Sequence, residues 1–218
     1  MTTFPGSPRL VKGGIVLVDP VSSAVQRIIA LQYNPDTLTR TLQVQGVGES
    51  ADRSEALRLK GPPVETIKLE AEIDVTDQIE FPDQNPNAAR LGLYPLLASL
   101  ETLVYPTSAQ LQNNNALAQA GTLEIAPMET ALSLFVWSKN RIVPVRVTDF
   151  SVTEEAFDPS LNPIRAKVSL GMRVLSVTDL GFTHKGGSLY MVYQRNKEQL
   201  ASLSPGATFA ALGITGLP

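Results

Sequence analysis

Three carboxylates crowd a short stretch in the second half of the chain, and they are the first candidates for chemistry. Glu154, Glu155 and Asp158 lie close together in the sequence EEAFD. Carboxylates that bind metal or transfer protons need further ligands or a partner base in the same cleft. In a strand, Glu154 and Glu155 would point to opposite sides, so only one of them could join Asp158. A metal-dependent hydrolase that uses these groups with His184 is therefore the weaker hypothesis.

The same stretch carries a strong turn pattern. Asp158-Pro159 and Asn162-Pro163 are turn-forming pairs, because a residue before proline avoids helical geometry and Asp or Asn can bond the following backbone. We therefore predict that Asp158, Pro159, Asn162 and Pro163 form the corner of a β-hairpin. In this interpretation the carboxylates are structural, and no catalytic, cofactor-binding or metal-binding residue is predicted.

The remaining candidates for chemistry surround the only histidine, His184. Zinc sites draw on several His or Cys ligands, and the chain has no cysteine at all, which also removes disulfides and cysteine nucleophiles. The following KGGS, residues 185–188, lacks the glycine spacing and the final Lys-Ser/Thr pair of a phosphate-binding loop. We interpret His184 as structural or exposed, and the glycines as a helix cap and hinge.

Composition excludes several classes of partner. The net charge of −3 leaves no basic surface for nucleic acid. No apolar run reaches membrane-spanning length and the first residues do not resemble a signal segment, so neither membrane insertion nor export is expected. Charged residues make up 18% of the chain, which is low for a soluble domain and predicts that part of the surface is not left to water.

Alternation of apolar and polar residues predicts the strands that position the corner. Residues 64–75 and 163–174 both alternate over their whole length, which is typical of half-buried antiparallel strands. The apolar phase slips near Thr148 and Asp149, which predicts a β-bulge there. Weaker patterns predict five further strands at residues 12–18, 26–33, 38–44, 131–137 and 142–153.

Three- and four-residue spacing predicts two helices. The first lies within residues 88–106, capped by Asn85 or Asn87, and Pro95 predicts either a kink or a shorter helix that begins near it. The second covers residues 188–203 with Ser188 as its cap. Residues 45–63 and 110–126 are predicted to be loops.

Two apolar features predict contacts between subunits. Phe135 and Trp137 lie on a strand that is apolar on both faces, which indicates either a central strand or an interface. After a domain at residues 1–203, residues 204–218 form a small, uncharged, apolar tail that a monomer has no use for. Candidate inter-subunit contacts are therefore Phe135, Trp137, Phe209, Leu212 and Ile214.

Several segments together resemble a known family. They are LQYNPDTLTR at 31–40, LEAEIDVTD at 69–77, LYPLLASLETLVYP at 93–106, residues 132–175 with the corner FDPSLNPIRA, and LYMVYQRNKEQLA at 189–201. In the same order along most of the chain, they resemble tube-type proteins of contractile injection systems, which are phage-tail-like particles. The resemblance is to the tube-initiator, or baseplate adaptor, subfamily. It implies a mainly β (α+β) tail-tube-like fold: two antiparallel sheets packed as a small barrel or sandwich, with a flanking helix and a C-terminal helix.

The resemblance also implies a function without catalysis. The chain would form a homo-hexameric ring that joins the spike hub protein to the inner tube and templates tube assembly. Its partners would be that hub, an inner tube protein or second adaptor ring, and neighbouring baseplate proteins, in a particle assembled in the cytoplasm. The polar side of residues 67–75 or 164–174 would line the lumen. Adaptor relatives continue into a peptidoglycan-binding-like module, for which residues 204–218 are too short, so the repeating inner tube subunit is the alternative.

Overall fold

The fold is a seven-stranded antiparallel sheet with helices packed against it. The computed structural model describes residues 10–46, 58–121 and 130–217. The strand order is β2-β1-β5-β6-β7-β4-β3. The strands are β1 Gly14–Val18, β2 Val25–Ala30, β3 Leu38–Gln43, β4 Val64–Asp74, β5 Leu132–Val136, β6 Ile142–Phe157 and β7 Pro163–Val174. The helices are α1 Thr76–Ile79, α2 Pro86–Leu91, α3 Tyr94–Glu101, α4 Ser108–Gln119, α5 Val177–Leu180 and α6 Lys185–Ser202, followed by a 3-10 turn, Phe209–Leu212.

The two strongest strand predictions are confirmed. In β4 the residues at odd positions from Glu65 to Ile73 are buried, while Lys68, Glu70 and Glu72 are exposed. Strand β7 covers the predicted residues 163–174 and pairs with β4 on one side and β6 on the other. The bulge near Thr148 and Asp149 is also confirmed, because the register between β6 and β7 shifts between Val147 and Asp149.

The predicted pair of packed sheets is not what the strand pairing shows. The sixteen-residue β6 pairs with β5 near its start and with β7 along most of its length, so all seven strands belong to one sheet. A bulge bends a strand and increases its twist, which lets β6 serve both halves of a curled sheet. The sheet is not closed, since β2 and β3 each have one strand neighbour among the described residues.

A side chain next to the edge strand β2 reaches β4, the strand beside the opposite edge. Gln32, just beyond β2, donates from Nε2 to the carbonyl of Asp74 at the end of β4 and accepts from the Asp74 N–H at 2.9 Å. Strand β3 pairs with β4 only from Val64 to Leu69, so this end of β4 has no partner from β3. In place of a closed barrel, the structure is therefore an open sheet in which the Gln32 side chain bridges from the end of β2 to the end of β4.

The core explains the apolar run in β5. Phe135 is 0% exposed and belongs to the main core cluster, while Leu132 and Leu134 form a second cluster with Val18, against which Leu180 and Leu189 pack. The prediction of an inter-subunit contact at Phe135 is wrong, because β5 is a central strand whose two faces are covered within the chain. Trp137 is half-buried and its ring stacks on that of Phe135 at 5.9 Å between centroids.

The helices differ from the predictions at their ends. Helix α3 begins at Tyr94 with Pro95 in its first turn, so the shorter of the two predicted forms is correct. Helix α6 begins at Lys185, not near Ser188, because the His184 Nδ1 accepts the Gly186 N–H at 3.0 Å and caps the helix earlier.

The loop prediction at residues 110–126 is wrong for its first part, which belongs to α4. Thr107 and Gln110 form a reciprocal capping box, which starts the helix locally. No residue of α4 is buried, and a helix without a buried face needs no apolar stripe at three- and four-residue spacing, the signal that predicted the other helices. The predicted loop at residues 45–63 is paired at its base, where Gly46 bridges Leu59. Residues 47–57 and 122–129 lie outside the described residues. Within the described ranges, no helix combines the length and apolarity needed to cross a membrane.

Candidate assembly surfaces

The turn between β6 and β7 is organised around Asp158. Its Oδ1 accepts the N–H of Ser160 at 2.7 Å and of Asn162 at 2.8 Å, and its Oδ2 accepts the Asn162 side-chain amide at 2.8 Å. Backbone bonds close the turn, from the Asp158 N–H to the Asn162 carbonyl and from the Leu161 N–H to the Asp158 carbonyl, both at 2.9 Å. Leu161 has a left-handed backbone conformation, with φ of 64°, and its side chain is 74% exposed.

The corner also holds the helices on the sheet. The Asn162 side-chain amide donates to the Arg90 carbonyl at 3.2 Å, and the Leu93 N–H donates to the Pro163 carbonyl at 2.8 Å. Gly92, between α2 and α3, has a φ of 55°, and a Cβ there would lie 2.4 Å from the Pro163 carbonyl oxygen. Only glycine permits both this backbone conformation and this close approach. The FDPSLNP segment is thus a docking point for α2 and α3.

Hydrogen bonding makes the corner sensitive to acid. The side-chain amide of Asn162, and then its backbone N–H, hold the pKa of Asp158 below the ordinary 3.8. A carboxyl whose pKa is lowered by folding stabilises the fold above its ordinary pKa, and that contribution is lost as the pH falls through the folded-state pKa.

We therefore predict that Asp158→Ala lowers the melting temperature at neutral pH, and that Asp158→Asn lowers it less, because Asn still serves in turns. The difference between wild type and Asp158→Asn should shrink as the pH falls below 3.8. Thermal melts monitored by circular dichroism across this range measure both effects. Glu154→Gln, which removes an exposed carboxylate from the same strand, is the control and should leave the pH profile unchanged. A wild-type difference that persists in acid would contradict the role assigned to Asp158.

The carboxylates of the hydrolase hypothesis have separate surroundings. Glu154 is exposed, Glu155 lies 3.4 Å from Lys167 Nζ, and both Asp158 oxygens accept bonds within the turn. His184 caps α6 through Nδ1. Within residues 10–46, 58–121 and 130–217, no group of three His, Cys, Asp or Glu side chains could hold a metal ion.

One face of the sheet is polar and its charges are matched between strands. Asp74 stands opposite Arg165 and Glu72 opposite Lys167 in the β4–β7 register. The Arg165 Nε donates to Asp74 Oδ2 at 2.9 Å. Burial works against the ionised Asp74, but hydrogen bonds from Thr76 and from Arg165 outweigh it and keep the pKa of Asp74 below its ordinary value.

A buried polar network fastens α6 to the edge of the sheet. Glu65, 3% exposed, accepts from Arg40 Nε at 2.7 Å and from the Tyr193 hydroxyl at 3.1 Å. The Lys197 ammonium lies 4.3 Å from the centre of the Tyr193 ring. Burial, and then the neighbouring Glu65, raise the pKa of Tyr193, and burial lowers the pKa of Lys197.

Sequence reasoning missed this network, although the sequence contained a signal for it. Glu65 has the same parity as Ile67 in β4, so a carboxylate stands at a position whose side chain must face the core. A buried charge requires a partner. The identity of the partner was not visible, because Arg40 and Tyr193 are remote in sequence.

The edge strands and the tail expose apolar side chains. Val25 and Ile28 are exposed on β2, and Leu42 on β3. Phe209, Leu212 and Ile214 of the tail are 46%, 69% and 42% exposed, and none of residues 204–217 is buried. These surfaces, unlike Phe135, remain available to other molecules.

Comparisons with known proteins give weak likenesses. No family model matches the chain, and no curated protein matches its sequence. A chain from the tail of an empty gene transfer agent particle, determined by helical refinement with C6 symmetry, is 12% identical, covers 75% of this chain and 90% of its own length, and has a TM-score of 0.28. A chain from the virion of a native gene transfer agent particle is 11% identical, covers 74% and 90%, and has a TM-score of 0.26. TM-scores of this size do not establish a common fold, so function rests on the chain's own residues.

Proposed function

We propose that the chain is a structural subunit of a phage-tail-like contractile injection particle, in which six copies form a ring. The observation that carries the proposal is the open sheet, whose two edge strands expose apolar side chains. Unpaired edges invite pairing with other chains, and monomeric proteins usually blunt or cover them. Closure of a ring would pair β2 of one copy with β3 of the next and remove both edges.

In this ring the polar face of β4 and β7 lines the lumen. Its opposite charges are paired between strands, as at Asp74 and Arg165, so the surface is hydrated but carries little net charge. The half-buried Trp137 and the tail residues Phe209, Leu212 and Ile214 contact neighbouring subunits. The sequence resemblance, which is strongest at residues 157–166, supports the assignment to tube-type proteins.

Within the particle, the ring acts as an adaptor. One ring face matches the spike hub protein, and the other provides the surface on which an inner tube protein or second adaptor ring stacks. Neighbouring baseplate proteins surround it. The mechanism is templating: the first ring sets the symmetry and register of the tube that grows on it.

Electron microscopy of the purified protein tests the assembly. We expect six-fold rings in wild type and in Val21→Lys, which adds a charge to an exposed turn residue outside the strands. Leu42→Lys should give folded monomers, because the added charge lies on the β3 edge. A wild-type protein that stays monomeric at all concentrations would overturn the proposal. Copy number in assembled particles then separates a single adaptor layer from a repeating tube subunit.

A further inference from the structure

An apolar cleft opens between β2 and α3. Its volume is about 140 Å³, and its lining includes Ile28, Leu31, Ile73, Leu96, Leu100 and Val168. The cleft lies where β3 does not extend along the last residues of β4 and where Gln32, just beyond β2, bridges to Asp74. Ile28 and Leu96 are exposed, so the cleft is accessible from solvent.

The tail has the chemistry that this cleft would accept. Residues 204–217 contain no charged side chain, and the 3-10 turn Phe209–Leu212 ends at Gly213, whose φ of 71° suits the turn. The Ile214 N–H donates to the Phe209 carbonyl at 3.1 Å. The turn is thus formed, although none of its side chains is buried against its own chain.

We propose that the tail of one copy inserts Phe209 into the β2–α3 cleft of a second copy. An apolar cavity of about 150 Å³ is large enough to hold a benzene molecule, so the observed volume accommodates a phenyl ring. No lining residue is charged, and burial of an uncharged segment incurs no penalty for removing a charge from water. The second copy is the occupant because the tail lies exposed outside its own cleft. The inference rests on the proposed function in one respect, because it requires that copies of the chain associate.

Site-directed disulfide cross-linking tests this contact in the full-length chain, which has no native cysteine. One variant carries Ala210→Cys, an exposed position beside Phe209 in the 3-10 turn, so that the phenyl ring is kept. The other carries Ser99→Cys, a residue that lines the cleft. Mild oxidation of the mixture should give a heterodimer containing both variants. Ala210→Cys mixed with Val21→Cys is the control and should give none. An Ala210→Cys/Ser99→Cys chain that forms only an intramolecular bond, or a mixture without the heterodimer, would overturn the proposal.

A second variant measures the same contact without oxidation. Phe209→Ala should weaken self-association about tenfold or more, because it removes a buried phenyl ring. Leu217→Ala, also exposed in the tail, should leave self-association unchanged, and equal effects would contradict the insertion of Phe209. Rings without the cross-link would refute the cleft contact and leave the ring standing. A cross-linked dimer without rings would support the cleft contact and refute the ring.

Discussion

Replacing Glu65 with alanine should lower the free energy of unfolding by about 3 kcal/mol, within the range known for removing one partner of a buried ion pair. Glu65 is 3% exposed and is the only carboxylate bonded to the Arg40 guanidinium among the described residues. Its removal leaves the Arg40 Nε and the Tyr193 hydroxyl proton without the acceptor they share, although Arg40 Nη2 still donates to the Tyr193 oxygen. Lys197 loses the negative charge of Glu65. Urea unfolding of both proteins measures the difference.

A double-mutant cycle separates the pair from its parts. Arg40→Met combined with Glu65→Ala should be more stable than Glu65→Ala alone, because the second change removes the uncompensated charge. Tyr193→Phe is the milder control, since it removes the hydroxyl that donates to Glu65 and accepts from Arg40 but leaves that ion pair intact and keeps the ring under Lys197. Hydrogen exchange should show increased opening of α6 in Glu65→Ala. If the effects of Arg40→Met and Glu65→Ala on the free energy of unfolding simply add, the network does not act as a unit.

Replacing Gly187 with alanine should destabilise the chain by about 1–3 kcal/mol, the usual cost of overpacking, or more. An added Cβ would lie 1.9 Å from the Gly181 carbonyl oxygen, a backbone atom that cannot turn aside as the end of a flexible side chain can. Helices α5 and α6 would have to move apart to make room for the added atom. The glycine pair in KGGS therefore permits close packing of a helix, which explains it without a bound phosphate.

Two other glycine-to-alanine variants serve as comparisons for the stability of Gly187→Ala. Gly186→Ala should cost less, because the nearest atom to its added Cβ is the end of a flexible side chain, Leu180 Cδ1 at 2.4 Å. Gly206→Ala should be nearly neutral, since nothing lies within 4 Å of its Cβ position. Thermal melts of the three variants give the order directly. A Gly187→Ala protein as stable as Gly206→Ala would show that α6 does not pack as described.

Local patterns accounted for the predictions that succeeded. Alternation in β4 and β7 determines which side chains share a face, because successive residues of a strand point to opposite sides. Pro95 determined the start of α3 for an equally local reason, since proline is tolerated in the first turn of a helix and disrupts its interior. The capping box at Thr107 and Gln110 was also local and could have revealed α4.

Long-range pairing accounted for the predictions that failed. The expectation of two packed sheets came from the family resemblance, whereas β6 pairs with β5 at its start and with β7 along most of its length and so joins the strands in one sheet. Phe135 was assigned to an interface because an apolar run does not show what covers it. The cover comes from α5 and α6 on one side and the main core on the other, and both depend on how the sheet curls.

The sequence by itself determined the strand faces, the bulge and the acidic, turn-forming composition of residues 154–163, because these follow from side-chain parity and turn chemistry within a few residues. Only the tertiary structure decided that the seven strands form one open sheet, that Glu65 meets Arg40 and Tyr193, and that the corner holds Gly92. The physical reason is the same in each case. Such contacts join residues far apart in the chain, and no local pattern shows which of these residues will meet.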